Sequence, residues 1–214
     1  MMTAELTDNI IQLFIVMLCG IYSCYRALKL KSKNWIPVTL FNVSFGIGLL
    51  YWVLYIVLFG STPRVFCVSE LSWTASYVFL AIRLTYNMTE EEKKYKHRAA
   101  WLLPLFSLAM CIFFCFRGSY LENIMMGSVL SVCGYFSAKT LFSAKARKSS
   151  RKEYIAIAVL LFYFAEYALW ISSYFLSDNT IFDPYLLTDT FILNSAIIFI
   201  AAAQRLEDKS CHTI

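Results

Sequence analysis

Charge is scarce in this chain. Only 15% of its 214 residues are Asp, Glu, Lys or Arg, too few to cover the surface of a water-soluble domain of this length. Glycine and proline number seven and four, which excludes collagen-like and low-complexity disordered chains. Histidine occurs twice, as His97 and His212. Both stand in charge runs, so no histidine falls inside an apolar run where a zinc protease or a His-dependent hydrolase would need one. Cysteine occurs seven times without paired Cys-x-x-Cys spacing. Cys19, Cys24, Cys111, Cys115 and Cys133 sit in apolar runs, where Cys behaves as a small hydrophobe, and Cys67 is expected in a loop. No glycine-rich nucleotide motif is present. Neither a metal nor a cofactor is implied.

What is abundant is apolar side chain, 59% of the sequence, with 17% aromatic. About 20 such residues in one helix cross a bilayer. Seven runs qualify, at Ile10 to Leu28, Trp35 to Leu58, Leu71 to Tyr86, Ala99 to Phe116, Ile124 to Leu141, Tyr154 to Leu176 and Tyr185 to Ala203. The connections between them alternate in cationic content. Arg26, Lys29, Lys31 and Lys33 mark the first, Lys93, Lys94, Lys96 and Arg98 the third, and Lys145, Arg147, Lys148, Arg151 and Lys152 the fifth. The second has Arg64, the fourth Arg117, and the sixth, from Ser177 to Pro184, has acids and no base. The segment Met1 to Asp8 is acidic as well.

Because Lys and Arg in short loops stay cytoplasmic, the expected fold is an all-α polytopic membrane protein. It has seven transmembrane helices, an outside N-terminus and a cytoplasmic C-terminus, in a plasma or cytoplasmic membrane. The net charge of +5 is then explained by loops facing anionic headgroups. The lipid bilayer is the expected partner and nucleic acid is not. A homo-oligomer or a cytoplasmic partner docked on the basic loops is left open. Trp35 and Trp101 are expected at the inner interface, and Trp52, Trp73 and Trp170 toward the outer one. The N-terminus shows neither the cationic region nor the cleavage site of a signal peptide, so the first span is expected to remain. Cys211-His-Thr-Ile lacks the aliphatic pair of a prenylation signal.

An internal repeat is visible. Cys19-Gly20-Ile-Tyr-Ser23 matches Cys133-Gly134-Tyr-Phe-Ser137 at an offset of 114, and Lys31 falls on Lys145. At an offset of 118, Trp52 falls on Trp170 and Ser76 on Asn194. The plan is parallel three-helix repeats, 7–97 and 119–206, joined by a linker helix, 98–118, with 207–214 as cytoplasmic tail. Pro104 is expected to kink the linker. In this architecture the chain resembles the SWEET and PQ-loop transporter families, which have three plus one plus three helices and a central solute path. The resemblance implies that Trp52, Trp170 and Asn194 border the solute, with Ser76 standing where an Asn is expected. It departs from those families in having no Pro-Gln pair and no Pro in the first or fifth span.

Ionisable groups within spans face the bundle interior or water and mark functional paths. Glu166 lies about 18 Å into the sixth span and Asp189 about 6 Å into the seventh, at 1.5 Å per residue. Glu70 stands at the outer mouth of the third, within reach of Arg64 or Arg117, or as a helix cap. No Lys or Arg is expected at comparable depth, and a short connection lets Glu166 and Asp189 share one outward cavity. Asn42 and Asn194 are deep amides, suited to orienting a polar solute or to bonding between helices. Gly127, Ser131, Gly134 and Ala138 form a small face for close helix packing. Thr89 before Glu90, Glu91 and Glu92 reads as a capped helix start.

Three functions fit. The first is a transporter of a small polar or cationic solute, proton-coupled through Glu166, because a carboxyl that changes protonation with exposure is what coupling requires. The second is a seven-helix sensor passing a signal to a cytoplasmic partner; a retinal pigment is disfavoured, since the seventh span has no Lys for a Schiff base. The third is an intramembrane enzyme using Glu166 and Asp189 on a lipid. Transport leads, and enzymatic activity is not the expectation.

Overall fold

A computed structural model describes residues 2–63, 68–86, 88–118, 120–146, 152–175 and 184–211, with side chains between 5 and 207. Arg64, Cys67, Arg147, Lys148, Arg151, the 177–183 connection and His212 lie outside the described residues.

Among the described residues every regular element is helical. The chain runs through α1 (Met2–Leu30), α2 (Ile36–Phe59), α3 (Val68–Tyr86), a short α4 (Glu90–Lys94), α5 (Leu102–Cys115), α6 (Tyr120–Ala146), α7 (Glu153–Phe175) and α8 (Pro184–Cys211). Single 3-10 turns at Lys33–Trp35 and Arg98–Trp101 lead into α2 and α5. Six helices, α1, α2, α5, α6, α7 and α8, are long and apolar enough to cross a membrane, as an integral membrane protein requires. The remaining long helix, α3, corresponds to the expected third span. Its lower apolarity has a cause: Ser69, Glu70, Thr74, Ser76 and Arg83 all point into the bundle.

The distribution of polarity is the reverse of a water-soluble protein's. Phe14, Ile21, Leu28, Val57, Leu58, Leu105 and Phe191 are all about half exposed or more, while Gln12, Asn42, Ser76 and Ser137 are almost wholly buried. A surface of this kind is solvated by hydrocarbon, and the polar side chains are turned to the interior.

The helices pack as a closed ring in the order α1, α2, α3, α6, α7, α8, with α8 returning to α1; α5 lies against α6 outside that ring. Helices in lipid associate through close packing and hydrogen bonds rather than through a hydrophobic drive, and the glycines show where. A Cβ at Gly134 would stand 2.9 Å from the Tyr163 ring and 3.1 Å from Leu103 Cβ, and one at Gly127 would stand 3.2 Å from Cys111 Cβ. The small face of α6 thus seats both α5 and α7. Pro104 is the third residue of α5, within the first turn, where backbone N–H groups have no intrahelical acceptor. It therefore sits where a proline is accommodated, not in mid-helix where the expected kink would arise.

The ring has two unlike ends. At the acidic end the starts of α1, α6 and α8 lie beside the ends of α2 and α7. At the basic end Thr89 caps α4, accepting from Glu92 N while Glu92 Oε2 accepts from Thr89 N. Glu92 also pairs with Lys152 at the start of α7, and Lys139 of α6 donates to Lys93 O at 2.7 Å. Trp35, expected at an interface, is instead buried at this end. Its indole N–H donates to Glu207, and the Arg26 guanidinium lies 5.4 Å from its ring. Trp101 remains exposed beside Tyr135.

Candidate functional site

Every turn of α7 from Phe162 to Trp170 turns toward the ring's interior. Phe162, Glu166 and Trp170 are spaced four residues apart and so share one face. Opposite, α3 presents Trp73 and Tyr77 with the same spacing, and α2 presents Phe45, Leu49 and Trp52. Between them, toward the acidic end, is a cavity of about 120 Å³, closed on its remaining sides by Gln12 of α1 and Asp189 of α8.

Carboxylates define its chemistry. Glu166, Asp189 and Glu122 line the cavity, and among the described residues no Lys or Arg lines it. Tyr77 donates its hydroxyl to Glu166 Oε1 at 2.6 Å, and both side chains are almost wholly buried. Asp189, also buried, lies within electrostatic reach of Asp8 and Glu166, and Gln12 donates to Asp8 Oδ2 at 2.8 Å. The acidic N-terminal segment is therefore part of the site, because α1 begins at Met2 and carries Glu5, Asp8, Asn9 and Gln12 along its inward side. Trp52 donates to Glu5 Oε1 at 3.3 Å.

Aromatic faces supply the rest of the wall. The Trp52 and Trp73 rings lie 5.7 Å apart, and Trp170 lies 5.6 Å from Tyr167. These three tryptophans border the cavity. Trp73 reaches its position only because residue 48 is glycine: a Cβ there would stand 2.5 Å from Trp73 Nε1. Below the cavity Phe162 packs edge-on against Phe41 and Tyr77, with ring centroids 5.7 and 5.1 Å apart, and Phe41 meets Phe199 at 5.7 Å. The space among Phe41, Leu80, Phe162 and Phe199 is too small to admit a water molecule. This aromatic plug separates the cavity from the basic end.

Of the eight residues expected at the site, Glu166, Asp189, Trp52 and Trp170 line the cavity. Asn194 does not: it is exposed on the outward side of α8, while its neighbours Leu193 and Ser195 are buried. Ser76 is buried but donates to Trp73 O of its own helix at 2.7 Å. Asn42 donates to Val38 O at 2.8 Å and lies outside the cavity wall. Glu70 accepts from Ser69 Oγ at 2.9 Å and influences the site through its charge, which reaches Glu122. Of its two expected partners, Arg117 lies over the Phe113 and Phe175 rings, and Arg64 is outside the described residues.

Tyr77, Gln12, Glu122 and Trp73 belong to the site and were not among the expected residues. Gln12 carried a signal, an amide one helical turn from Asp8 in an otherwise apolar run. Tyr77 carried none, since a Tyr in an apolar helix reads as packing until its partner is known. Among the described residues no cluster of His, Cys, Asp and Glu has metal-binding geometry.

The chain matches no known family, no curated protein and no solved structure.

Proposed function

We propose that the chain is a seven-helix membrane transporter of a small organic cation, coupled to protons through Glu166. The observation that carries this reading is the cavity itself, which combines three carboxylates and three tryptophans with, among the described residues, no cationic side chain. Carboxylates attract an ammonium group directly, and indole faces bind cations through their negative π-surface. A volume of about 120 Å³ suits a solute of roughly five or six non-hydrogen atoms, since benzene fills a cavity of about 150 Å³.

The hydrogen bond from Tyr77 supports the coupling. It occupies Glu166 Oε1, leaving Oε2 for either a proton or the solute's ammonium. The two compete, so solute affinity rises with pH, and a cycle that returns the empty site protonated exchanges solute for proton. The aromatic plug at Phe41, Phe162 and Phe199 is the layer that opens when the site turns to the other side. The orientation, N-terminus outside and C-terminus inside across seven spans including α3, is supported by the concentration of bases at one end. It gives the cavity access from outside a plasma or cytoplasmic membrane. Trp52 and Trp170, which correspond in the internal repeat, both border the cavity. That supports the kinship with SWEET-like carriers in plan, with acids added to the site.

Uptake into proteoliposomes tests the reading. Radiolabelled ethanolamine should enter saturably, and Asp189→Asn should reduce its uptake at least about tenfold, the loss expected for a charge-assisted contact. Glycerol and acetate, of similar size, should not compete. Equal competition by glycerol would contradict a cation site.

A further inference from the structure

A second site lies at the opposite end of the ring. Arg83, three residues before the last of α3, is 2% exposed, and its Nε is shut off from solvent with no hydrogen-bond partner. Among the described residues Arg83 makes no hydrogen bond and no ion pair. Glu207 is near enough to influence it, but that carboxylate is engaged by Arg26 at 3.9 Å and by the Trp35 indole. The neighbouring cations are satisfied, Lys139 by Lys93 O and Lys152 by Glu92. Of the three, Arg83 has only the nearby charge of Glu207, and no hydrogen bond, to offset its desolvation.

The hydroxyls beside it are also unspent. Arg83, Thr140 and Lys152 line one cleft, together with Leu84, Ile155 and Leu206. Thr140 Oγ1 is buried without a partner, as are Ser137 Oγ and Ser143 Oγ, one turn to either side of it on α6. In a helix such hydroxyls ordinarily return to the carbonyl three or four residues back. Ser23, Thr39, Thr85 and Ser172 all do so here. A fork of guanidinium donors, a free hydroxyl and a nearby ammonium suit a tetrahedral oxyanion.

We infer that this cleft binds a phosphate group, with Arg83 and Thr140 as its donors and Lys152 at the rim. Arg83 lies about 4.5 Å of helix rise from the end of α3, the level of phospholipid headgroups for a spanning helix. Basic pockets between helices at that depth take anionic lipid, and Leu84, Ile155 and Leu206 give an apolar wall beside it. The enclosed part of the cleft, about 20 Å³, holds one water-sized group. A phosphate therefore inserts one non-bridging oxygen toward Arg83 and leaves the others at the mouth. Two sources share this chemistry, an anionic phospholipid and free phosphate. The site does not depend on what the acidic cavity transports.

The test uses the full-length protein in two arms. In the first, native mass spectrometry measures retention of phosphatidylglycerol against phosphatidylcholine. In the second, melting is followed in inorganic phosphate and in chloride at equal ionic strength. Wild-type protein should retain phosphatidylglycerol preferentially, Arg83→Gln should weaken retention at least about tenfold, and Thr140→Val, which keeps the side chain's shape, about threefold. Lys94→Gln, on the exposed side of α4, should change nothing. Stabilisation by inorganic phosphate that both variants lose, without lipid preference, supports the site with soluble phosphate as its ligand. Retention and melting unchanged in both variants, or a loss equal in Lys94→Gln, overturns it.

Discussion

Tyr77 of α3 and Glu166 of α7 are joined by a 2.6 Å hydrogen bond across the middle of the ring, and this contact ties the two faces of the acidic cavity together. The phenol donates, so one carboxyl oxygen is held while the other is left to the cavity. Hydrogen bonds to an ionised partner contribute about 1.5–3 kcal/mol. Replacing Tyr77 by Phe keeps the ring packed on Phe162 and removes only the donor. Melting in detergent should fall by a few degrees, and ethanolamine affinity should drop about three- to tenfold. Unchanged affinity in Tyr77→Phe would show that the Glu166 geometry is irrelevant to binding.

The tryptophans separate by location. Trp52 and Trp170 border the cavity, whereas Trp101 is 59% exposed on the lipid side. Leu in place of Trp52 or Trp170 should weaken cation binding by about five- to thirtyfold, in line with a cation–π contribution of about 1–2 kcal/mol. Leu in place of Trp101 should leave it unchanged. Tryptophan fluorescence quenching by the solute, read in each variant, makes the comparison directly.

Asn194 offers a test of the corrected site. It faces outward on α8, so Asn194→Ala should transport at the wild-type rate. In a SWEET-like arrangement the same substitution would abolish uptake, and initial-rate measurements distinguish the two.

How much of this was legible in the sequence depends on helical phase. The acids of the cavity stood out because Glu166 and Asp189 interrupt apolar runs, and a charge in such a run must turn inward. The repeat, by contrast, matched Asn194 to Ser76 by offset alone. At 100° per residue Asn194 lies about 140° around the helix from Asp189, so the two cannot face one cavity; the phase of α8 already held that information. Tyr77 was invisible for another reason. Its role rests on a partner 89 residues away, and no local pattern encodes a contact between α3 and α7. The same holds for Trp35, whose amphipathic ring fits an interface as well as a polar interior until Glu207 and Arg26 are seen beside it. The order of the ring, with α5 outside it, is likewise set by contacts between helices distant in sequence.

Gly48 provides a packing test independent of function. A Cβ at this position would meet Trp73 Nε1 at 2.5 Å, Trp73 Cδ1 at 2.8 Å and Ser69 O at 3.1 Å. One of those atoms is backbone, so the neighbours have little freedom to yield. Gly48→Ala should destabilise by about 1–3 kcal/mol, the usual cost of overpacking, and shift the tryptophan emission. Gly46→Ala, whose Cβ would find only ordinary contacts at 3.6 Å with Met17 and Val16, should melt close to wild type in the same thermal scan.

In the proposed cycle a proton and the solute's ammonium compete for Glu166. The initial rate of ethanolamine uptake into proteoliposomes at subsaturating solute, measured from about pH 5.5 to about pH 8, reads that competition. The expected result is a wild-type rate that rises several-fold with pH and a Glu166→Gln rate that is low and flat. A Glu166→Gln protein that keeps the wild-type profile would rule that competition out.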